Sequence, residues 1–457
     1  MVDLLMKAAE RGIRYLRGLD DRRASPEASA ISRLADLGGP LPGGPTDPEV
    51  VLSLLDDLGS PGTVASAGGR YFGFVVGGAL PVTVAANWLA TAWDQNAGMI
   101  VSSPVAAAVE EIAIDWLVDV LALPPGTAGA FVTGATMANF TALAAARHAV
   151  LSGAGWDVEA RGLFGAPPIT VVAGDHVHVS LLKALTLLGL GRDRVVRVPV
   201  DGEGRMRTDA LPTFAAPAIV CLQAGNVNSG AFDPAREICP IAHRMGAWVH
   251  VDGAFGLWAA AAPGRSHLAD GVALADSWAV DAHKWLNVPY DSGIAFVRDG
   301  PSLTASMAAS AAYLTHQAGR EPRLHTPEMS RRARAIEVWA ALRHLGRSGL
   351  ADLIERTCRH AERLAAGLRG AGHRVLNEVV LNQVLVSFGA ADVTRRVIAA
   401  VQAEGTCWAG GTLWHDEPAM RLSVSSWATT ERDIDRSLAA ILRAAAEAQG
   451  QRGRSGL

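Results

Sequence analysis

The chain has 457 residues, of which 49% are hydrophobic and 19% are charged, and its formal net charge is −4. This length exceeds what one simple core needs, so we expect two domains and a terminal arm. The small net charge gives no strong attraction to nucleic acid or to a membrane surface, and we expect neither as a partner. The four cysteines form no CxxC motif, so we interpret them as buried thiols in a reducing cytoplasm and expect no metal site.

Residues 1–65 are predicted to form a helical arm. Charges recur at helical spacing near the start of the chain, without the uninterrupted apolar core of a signal peptide. Helices are predicted over Leu4–Leu16 and Asp47–Leu58, separated by a loop rich in proline and glycine. Such apolar helices cannot make a core alone, which suits an arm that packs against another surface. A simple surface extension is the alternative.

The next segment, from Tyr71 to Trp93, contains no charged residue. By length alone it could cross a bilayer. Its glycines and Pro81 weaken that interpretation, and we predict a glycine-rich loop followed by a buried helix from about Pro81. A further helix begins at Ser103-Pro104, with proline in its first turn. Four residues here are candidates for a substrate pocket, although aromatic side chains more often belong to a core: Tyr71, Phe72, Trp93 and Asn96.

A phosphate-binding turn is predicted after the first strand, which ends near residue 132. Gly134, Ala135 and Thr136 form a tight turn, and a helix follows over Met137–His148. The free N–H groups and the positive dipole end of a helix N-terminus bind phosphate, and Thr136 adds a hydroxyl group.

Strands and helices then alternate along the chain. This alternation predicts a mostly parallel sheet with helices on both faces, and ligands of such sheets bind beyond the carboxyl ends of the strands. Thr133, Asp252 and Lys284 all fall near strand ends. The predicted strands are Ile169–Ala173, Val195–Val200, Ala218–Gln223 and Trp248–Asp252, and helices are predicted from Leu211 and over Pro234–Met245.

Two residues in this region point to a specific chemistry. Asp252 ends a buried strand, and a carboxylate there can keep a pyridine nitrogen protonated as an electron sink. Lys284 lies in an apolar context between His283 and Trp285. A lysine in a low-polarity site can lose its proton and form a Schiff base with an aldehyde. An ordinary lysine at a strand end is the alternative.

Several motifs in order resemble the group II pyridoxal-phosphate (PLP) decarboxylases, which include the aromatic amino acid and glutamate decarboxylases of fold type I. HVDGAFG from His250 is followed by DSWAVDAHKW from Asp276, and GATMAN from Gly134 is similar to the Gly/Ser-rich turn and EAN of the family. His178, Ser180 and Lys183 match the pattern H-x-S-x-x-K-A. The resemblance covers the chain roughly from residue 68 to the C-terminal helix.

The resemblance implies an architecture. We expect an α/β protein of fold type I, with a mostly parallel seven-stranded sheet in a large PLP-binding domain at residues 66–345. The arm at 1–65 would contact the partner of a homodimer, and a small α+β domain would cover 346–457. Within that domain we predict a helix over Leu350–Leu368, strands at Val375–Leu376, Gln383–Phe388 and Met420–Ser425, and a last helix from Thr430 to about Ala448.

The resemblance also implies roles for single residues. PLP would be bound to Lys284, with Asp252 at the ring nitrogen and His178 stacked on the ring, His176 being the alternative for stacking. Arg421 is suited to a substrate carboxylate, with a structural ion pair as the alternative. The expected cofactor-binding residues are Ala135, Thr136, His178, Asp252, Ala254, His283 and Lys284.

Two departures from the family pattern bear on the reaction. Asn226 and Val227 replace two threonines, so the contacts of those hydroxyl groups are not expected here. Between residues 314 and 331 there is no tyrosine, although a mobile loop in this region of the family normally supplies a tyrosine that protonates the substrate carbanion. His325 or His316 could serve as the acid instead, and an ordinary loop histidine is the alternative for each.

The sequence therefore predicts a cytoplasmic, homodimeric PLP enzyme that decarboxylates an L-amino acid, with active sites at the subunit interface. The missing tyrosine leaves a diverted reaction open. That reaction is either oxidative decarboxylation-deamination to an aldehyde or β-elimination at a sulfur-bearing amino acid. A dinucleotide-binding dehydrogenase is disfavoured, because no G-x-G-x-x-G follows a strand.

Overall fold

The computed structural model describes residues 1–309 and 319–454. The chain divides into two units, the first formed by Met1–Val76, His360–Leu376 and Val384–Leu457, and the second by Gly77–Arg359 and Asn377–Gln383. The helices are α1 (Val2–Arg17), α2 (Ala28–Arg33), α3 (Pro48–Gly62), α4 (Pro81–Trp93), α5 (Pro104–Val120), α6 (Ala135–Gly153), α7 (Val158–Arg161), α8 (Val179–Leu187), α9 (Ala235–Arg244), α10 (Gly300–Met307), α11 (Ala335–Gly370), α12 (Ala391–Glu404) and α13 (Glu431–Arg454). The strands are β1 (Ala128–Val132), β2 (Thr170–Gly174), β3 (Val196–Val198), β4 (Ala218–Gln223), β5 (Ala247–Asp252), β6 (Ser277–Asp281), β7 (Gly293–Val297), β8 (Arg374–Val375), β9 (Gln383–Ser387), β10 (Gly410–Trp414) and β11 (Glu417–Ser423).

The second unit is built on a seven-stranded sheet in the order β1-β7-β6-β5-β4-β2-β3. Within the described residues, every adjacent pair is parallel except the two that include β7. The expected α/β class with a mostly parallel seven-stranded sheet is therefore confirmed. The carboxyl ends of β1, β5 and β6 meet at one edge of this sheet, which is the edge where ligands of α/β proteins bind.

Helix α6 lies on the sheet over β5, β6 and β7. The residues between α6 and these strands are small and fully buried, including Ala138, Ala142, Ala279 and Ala295. Small side chains allow a helix to approach a sheet closely. The N-terminus of α6 consequently lies against the carboxyl ends of the strands.

The helix predicted from Leu211 is wrong. A short 3-10 turn covers Thr208–Ala210, and residues 211–217 have no helical structure. Pro212 and Pro217 bound the segment, and the residue before a proline is disfavoured in a helical conformation. Only four residues separate the two prolines, which is too few for a stable helix.

The first unit contains the N-terminal helices and a four-stranded sheet in the order β10-β11-β9-β8, with α12 packed on β11 and α13. The predicted N-terminal helices and the α+β character of the C-terminal region are confirmed. Helix α11 is interrupted at Gly346, where φ is 58°, and the predicted boundary at 345 falls beside this break. The predicted division into residues 1–65, 66–345 and 346–457 stays a prediction.

All four cysteines are buried and lie outside any disulfide bond of the described residues: Cys221, Cys239, Cys358 and Cys407. Burial raises the pKa of the Cys239 thiol to about 12, so it is neutral at physiological pH. Among the described helices, none combines the length and the apolarity needed to cross a membrane.

Candidate active site

A buried carboxylate at the end of β6 organises the site. The Asp281 side chain is only 3% exposed, and its Oδ2 lies 2.9 Å from the Lys284 Nζ. Its Oδ1 accepts a hydrogen bond of 2.5 Å from the backbone N–H of Ala135 and lies 3.5 Å from His283 Nε2. The lysine side chain is 19% exposed, so its ammonium group is largely withdrawn from water and balanced by one carboxylate.

The His283 ring is fixed by contacts on both sides. Its Nδ1 accepts a hydrogen bond of 3.0 Å from the backbone N–H of Ser292, so a neutral ring carries its proton on Nε2, the atom that faces Asp281. The Tyr290 ring stacks on it with centroids 4.3 Å apart. Burial lowers the pKa of His283, which favours the neutral ring as a single hydrogen-bond donor.

Two glycines make room for the start of α6. A Cβ atom on Gly134 would lie 3.0 Å from Cε1 of His283, and one on Gly293 would lie 2.5 Å from Cα of Gly134. A larger residue would require the His283 ring to shift at position 134 and the backbone to move at position 293. Helix geometry leaves the N–H groups of Thr136 and Met137 without an intrahelical acceptor. An anion can therefore bind at this turn, as the sequence predicts.

The second carboxylate, that of Asp252 at the end of β5, is also buried, with 5% exposure. Its Oδ2 accepts a hydrogen bond of 3.0 Å from Asn139 Nδ2, and its Oδ1 accepts one of 3.2 Å from the backbone N–H of Ala254. The carbonyl of Ala254 in turn accepts from the backbone N–H of Asp281 at 2.8 Å. One residue thus links the two carboxylates, and both belong to one site.

His178 follows β2 at the same edge of the sheet, where it precedes α8. Its Nδ1 lies 2.7 Å from Ser180 Oγ. The carbonyl of His176 accepts a 3.1 Å hydrogen bond from Gln223 Nε2, and Gln223 pairs with Asp252 in the sheet. The structure therefore holds this histidine loop beside β4, next to the strand of Asp252. Stacking of His178 on a cofactor stays a prediction.

The description of the matching family model is "Pyridoxal-dependent decarboxylase conserved domain", and the match covers residues 61–390. The chain belongs to this family. PLP is therefore its cofactor, and the resemblance found in the motifs is confirmed.

Relatives in this family are decarboxylases named for different amino acids. The chain is 30% identical to aromatic-L-amino-acid decarboxylase of Bacillus atrophaeus over 65% of its own length and 63% of that protein. It is 34% identical to aspartate 1-decarboxylase of Aliivibrio fischeri over 52% of its length and 46% of that protein. The chain thus spans between about half and two thirds of the length of these two relatives. Oryza sativa TDC, crystallised with PLP and tryptamine, has the same fold, with a TM-score of 0.90, 23% identity and coverage of 97% of both chains.

The residues at the carboxyl-end edge of the sheet fit PLP in their chemical groups and in their location. Lys284 offers an amine, and Asp252 offers a carboxylate already surrounded by donors. The turn at Gly134 and Thr136 offers free N–H groups and a hydroxyl for a phosphate, within a cradle that a Cβ would fill. Ala254 adds little bulk beside Asp252. The predicted cofactor set is thereby brought together, and the contacts of each member stay predictions.

Sequence reasoning missed two members of the site. Asp281 ends its strand as Asp252 does and lies three residues before the lysine, which is a usable signal. Asn139 stands in the first turns of α6, and its contact with Asp252 joins positions 113 residues apart. Nothing local in the sequence distinguishes it from any other buried polar residue.

Trp93 and Asn96, two predicted substrate residues, lie at and beyond the end of α4. The Trp93 side chain is 46% exposed. Asn96 Oδ1 accepts hydrogen bonds of 3.1 Å from the backbone N–H groups of Gly98 and Arg331. These bonds join the loop after α4 to the segment before α11. A substrate role for either residue stays a prediction.

His325, the predicted proton donor, lies in a different part of the unit. It lines a cleft with Glu111, Arg320 and residues 127–129, which include the amino end of β1, whereas Gly134 follows the carboxyl end of that strand. Burial lowers the pKa of His325 to about 4, so the ring is largely unprotonated at neutral pH. The structure does not bring it to the lysine of the same subunit, and its role stays a prediction. His316, the other predicted proton donor, lies outside the described residues.

The other three predicted substrate residues belong to the first unit. Tyr71 is 7% exposed and stacks on Trp408 with ring centroids 5.1 Å apart. Phe72 is buried. Arg421 lies in β11, and burial lowers the pKa of its guanidinium group. Their contacts with a substrate stay predictions.

Proposed function

We propose that the chain is a PLP-dependent decarboxylase of an L-amino acid, a carbon–carbon lyase in which Lys284 holds the cofactor covalently. One observation carries the proposal. The lysine amine is paired at 2.9 Å with the buried carboxylate of Asp281, at the sheet edge where the buried Asp252 ends the adjacent strand. An amine for the cofactor aldehyde and a carboxylate for its ring nitrogen are the two groups that PLP chemistry requires of a protein.

Each residue at this edge of the sheet then has a role in binding the cofactor or in the reaction. When bound, PLP supplies a protonated pyridine ring that takes up the electrons left on Cα after the carboxylate departs as carbon dioxide. Asp252 would accept a hydrogen bond from the ring nitrogen. His178 would stack on the ring and orient it, and the small Ala254 would leave room beneath it.

Asp281 would control the proton of Lys284. An amine attacks a carbonyl carbon only in its unprotonated form. The Asp281 Oδ2 lies within hydrogen-bond distance of the lysine Nζ and can accept its proton. The Ala135 N–H and the His283 ring hold the other carboxylate oxygen, so the acceptor stays in place as the lysine moves.

The phosphate group would bind at the start of α6. The Ala135 N–H already donates to Asp281, so we assign the phosphate to the N–H groups of Thr136 and Met137 and to the Thr136 hydroxyl. The Nε2–H of His283, which faces Asp281 Oδ1 at 3.5 Å, would be shared between that oxygen and the phosphate. Ala135 contributes its position in the turn rather than a free N–H group.

We propose that Arg421 binds the substrate carboxylate.

We also propose that the protein is a cytoplasmic homodimer with active sites at the subunit interface. Apolar residues of α4 support a second copy, because Trp88, Leu89 and Trp93 are 44%, 55% and 46% exposed. Contiguous apolar surface of this kind usually lies in an interface. Light scattering tests the dimer, and a monomeric wild-type protein with full activity would contradict it.

The reaction outcome is proposed to be simple decarboxylation. The relatives named above are both decarboxylases and give the diverted reaction no support. The test is product analysis with an amino acid panel, under air and under nitrogen, with the PLP-loaded protein. We expect amine and carbon dioxide in equal amounts in both atmospheres. Aldehyde formed only under air would instead indicate the oxidative reaction, and pyruvate and a thiol would indicate β-elimination.

A further inference from the structure

A chain of hydrogen bonds runs along β5 and ends at the Asp252 carboxylate. Trp248, His250 and Asp252 alternate along the strand and therefore share one face of it. The Trp248 Nε1 donates to Ser277 Oγ at 2.8 Å, and that oxygen lies 2.9 Å from His250 Nδ1. His250 Nε2 lies 2.9 Å from Asn139 Oδ1, and Asn139 Nδ2 donates to Asp252 Oδ2 at 3.0 Å. We call these five residues the Asp252 hydrogen-bond chain.

The two ends of this chain, with a neutral His250 ring between them, fix the direction of every bond in it. An indole N–H can only donate, and an ionised carboxylate can only accept. The Asn139 amide must therefore donate to Asp252 and accept from His250, which carries its proton on Nε2. His250 Nδ1 must accept the hydroxyl proton of Ser277. All four hydrogens consequently point toward the carboxylate, an arrangement in which each bond polarises and strengthens the next.

The middle of the chain is closed to water. Asn139, His250 and Ser277 are each 0% exposed. Burial lowers the pKa of His250 to about 3, which agrees with the neutral ring that the bond directions require. Water cannot replace a link that is removed, so each neighbour of a deleted group would keep an unsatisfied polar atom.

We propose that Asn139, His250 and Ser277 are positioning residues that orient the Asp252 carboxylate toward the cofactor ring nitrogen and help it keep that nitrogen protonated. This inference rests on the proposed function, because it assumes that PLP binds at Lys284. None of the three would touch the substrate. They would act through the direction and charge of one carboxylate, so their loss should change the bound cofactor and not only the rate.

The test uses holoenzyme loaded with PLP that carries 15N in its ring. The 15N chemical shift separates a protonated from an unprotonated ring nitrogen, and a merely structural role would not move it. The variants are His250→Phe and Ser277→Ala, with Trp248→Phe at the half-buried far end as the change least disruptive to folding. The control is His243→Gln, which changes a histidine that is hydrogen-bonded to Asp276 outside the chain. The dissociation constant of PLP is measured alongside.

We expect the His250→Phe shift to move toward the unprotonated value and PLP affinity to fall about tenfold, which corresponds to about 1.4 kcal/mol. Ser277→Ala should change the 15N shift and the PLP affinity in the same direction but to a smaller extent, and Trp248→Phe should have the smallest effect of the three. The control His243→Gln should change neither quantity. If His250→Phe does not fold, the other two variants decide. Unchanged shifts and affinities in variants that bind PLP would overturn this inference alone. A wild-type protein that does not bind PLP at Lys284 would overturn the proposed function as well.

Discussion

Replacing Asp281 by asparagine should destabilise the protein even before PLP is added. Asparagine keeps an oxygen for the Ala135 N–H but removes the charge that balances the Lys284 ammonium. Removing one partner of a buried ion pair costs about 3–5 kcal/mol. The lysine side chain is 19% exposed, so water compensates in part, and we expect about 2–3 kcal/mol. For a unit of this size the melting temperature should fall by about 4–6 °C.

The assay is calorimetric unfolding of the apoprotein in a double-mutant cycle with Asp281→Asn, Lys284→Met and the double variant. Each single change leaves one charge unpaired, whereas the double variant leaves none. The coupling energy should therefore be about 2 kcal/mol. Asp193→Asn is the control, because its pair with Arg192 is exposed and such pairs contribute about 0–1 kcal/mol. Additivity of the two single changes within about 0.5 kcal/mol would refute the argument.

Three further predictions concern the same edge of the sheet. Lys284→Ala should fold but lose covalent PLP and turnover, measured by absorbance and amine release; retained turnover would contradict its role. Burial lowers the pKa of His250 to about 3, so the folded protein keeps this ring neutral while the unfolded chain takes up a proton below about pH 6.5. The free energy of unfolding should therefore fall by about 1.4 kcal/mol per pH unit as the pH decreases from about 6.5 to about 3. His250→Gln should flatten this slope in acid unfolding curves, and an unchanged slope would contradict the prediction. Gly77→Ala places a Cβ 1.9 Å from the Lys284 carbonyl oxygen and should lower PLP occupancy, whereas Gly153→Ala, with open space around its Cβ, should not; equal occupancy in both would contradict the contact.

The class of the sheet and its functional edge could be predicted from the sequence. A run of apolar residues that ends in Asp252, and another that precedes Lys284, show in the sequence where two strands end. Local pattern cannot show which residues meet across the sheet. The bond between Ala135 and Asp281 joins positions 146 residues apart, so the central place of Asp281 appears only in the folded chain.

The Asp252 hydrogen-bond chain was missed for a related reason. In the sequence, His250 is one position of a buried strand, where a histidine satisfied by its neighbours is the ordinary expectation. Ser277 begins the next strand, and Asn139 belongs to a helix. Their alignment depends on strand register and on the close approach of α6, and neither can be derived from residue types alone.

The substrate residues and the proton donor depend on tertiary contacts that local sequence does not contain. The exposed side chain of Trp93 and the structural hydrogen bonds of Asn96 do not identify a pocket. His325 was chosen because it titrates near neutral pH in water. The folded chain buries it and lowers its pKa, an effect of tertiary structure that the loop sequence does not contain.

The central claim is that Lys284 holds PLP in this protein, and its most direct test is borohydride reduction of the PLP-loaded protein followed by peptide mass analysis. The sequence contains only three lysines, Lys7, Lys183 and Lys284, so the assignment is simple. We predict that the added cofactor mass appears on the peptide with Lys284 alone and disappears when an amino acid substrate is added before reduction. Labelling at Lys7 or Lys183, or no labelling of a protein that binds PLP, would contradict the account.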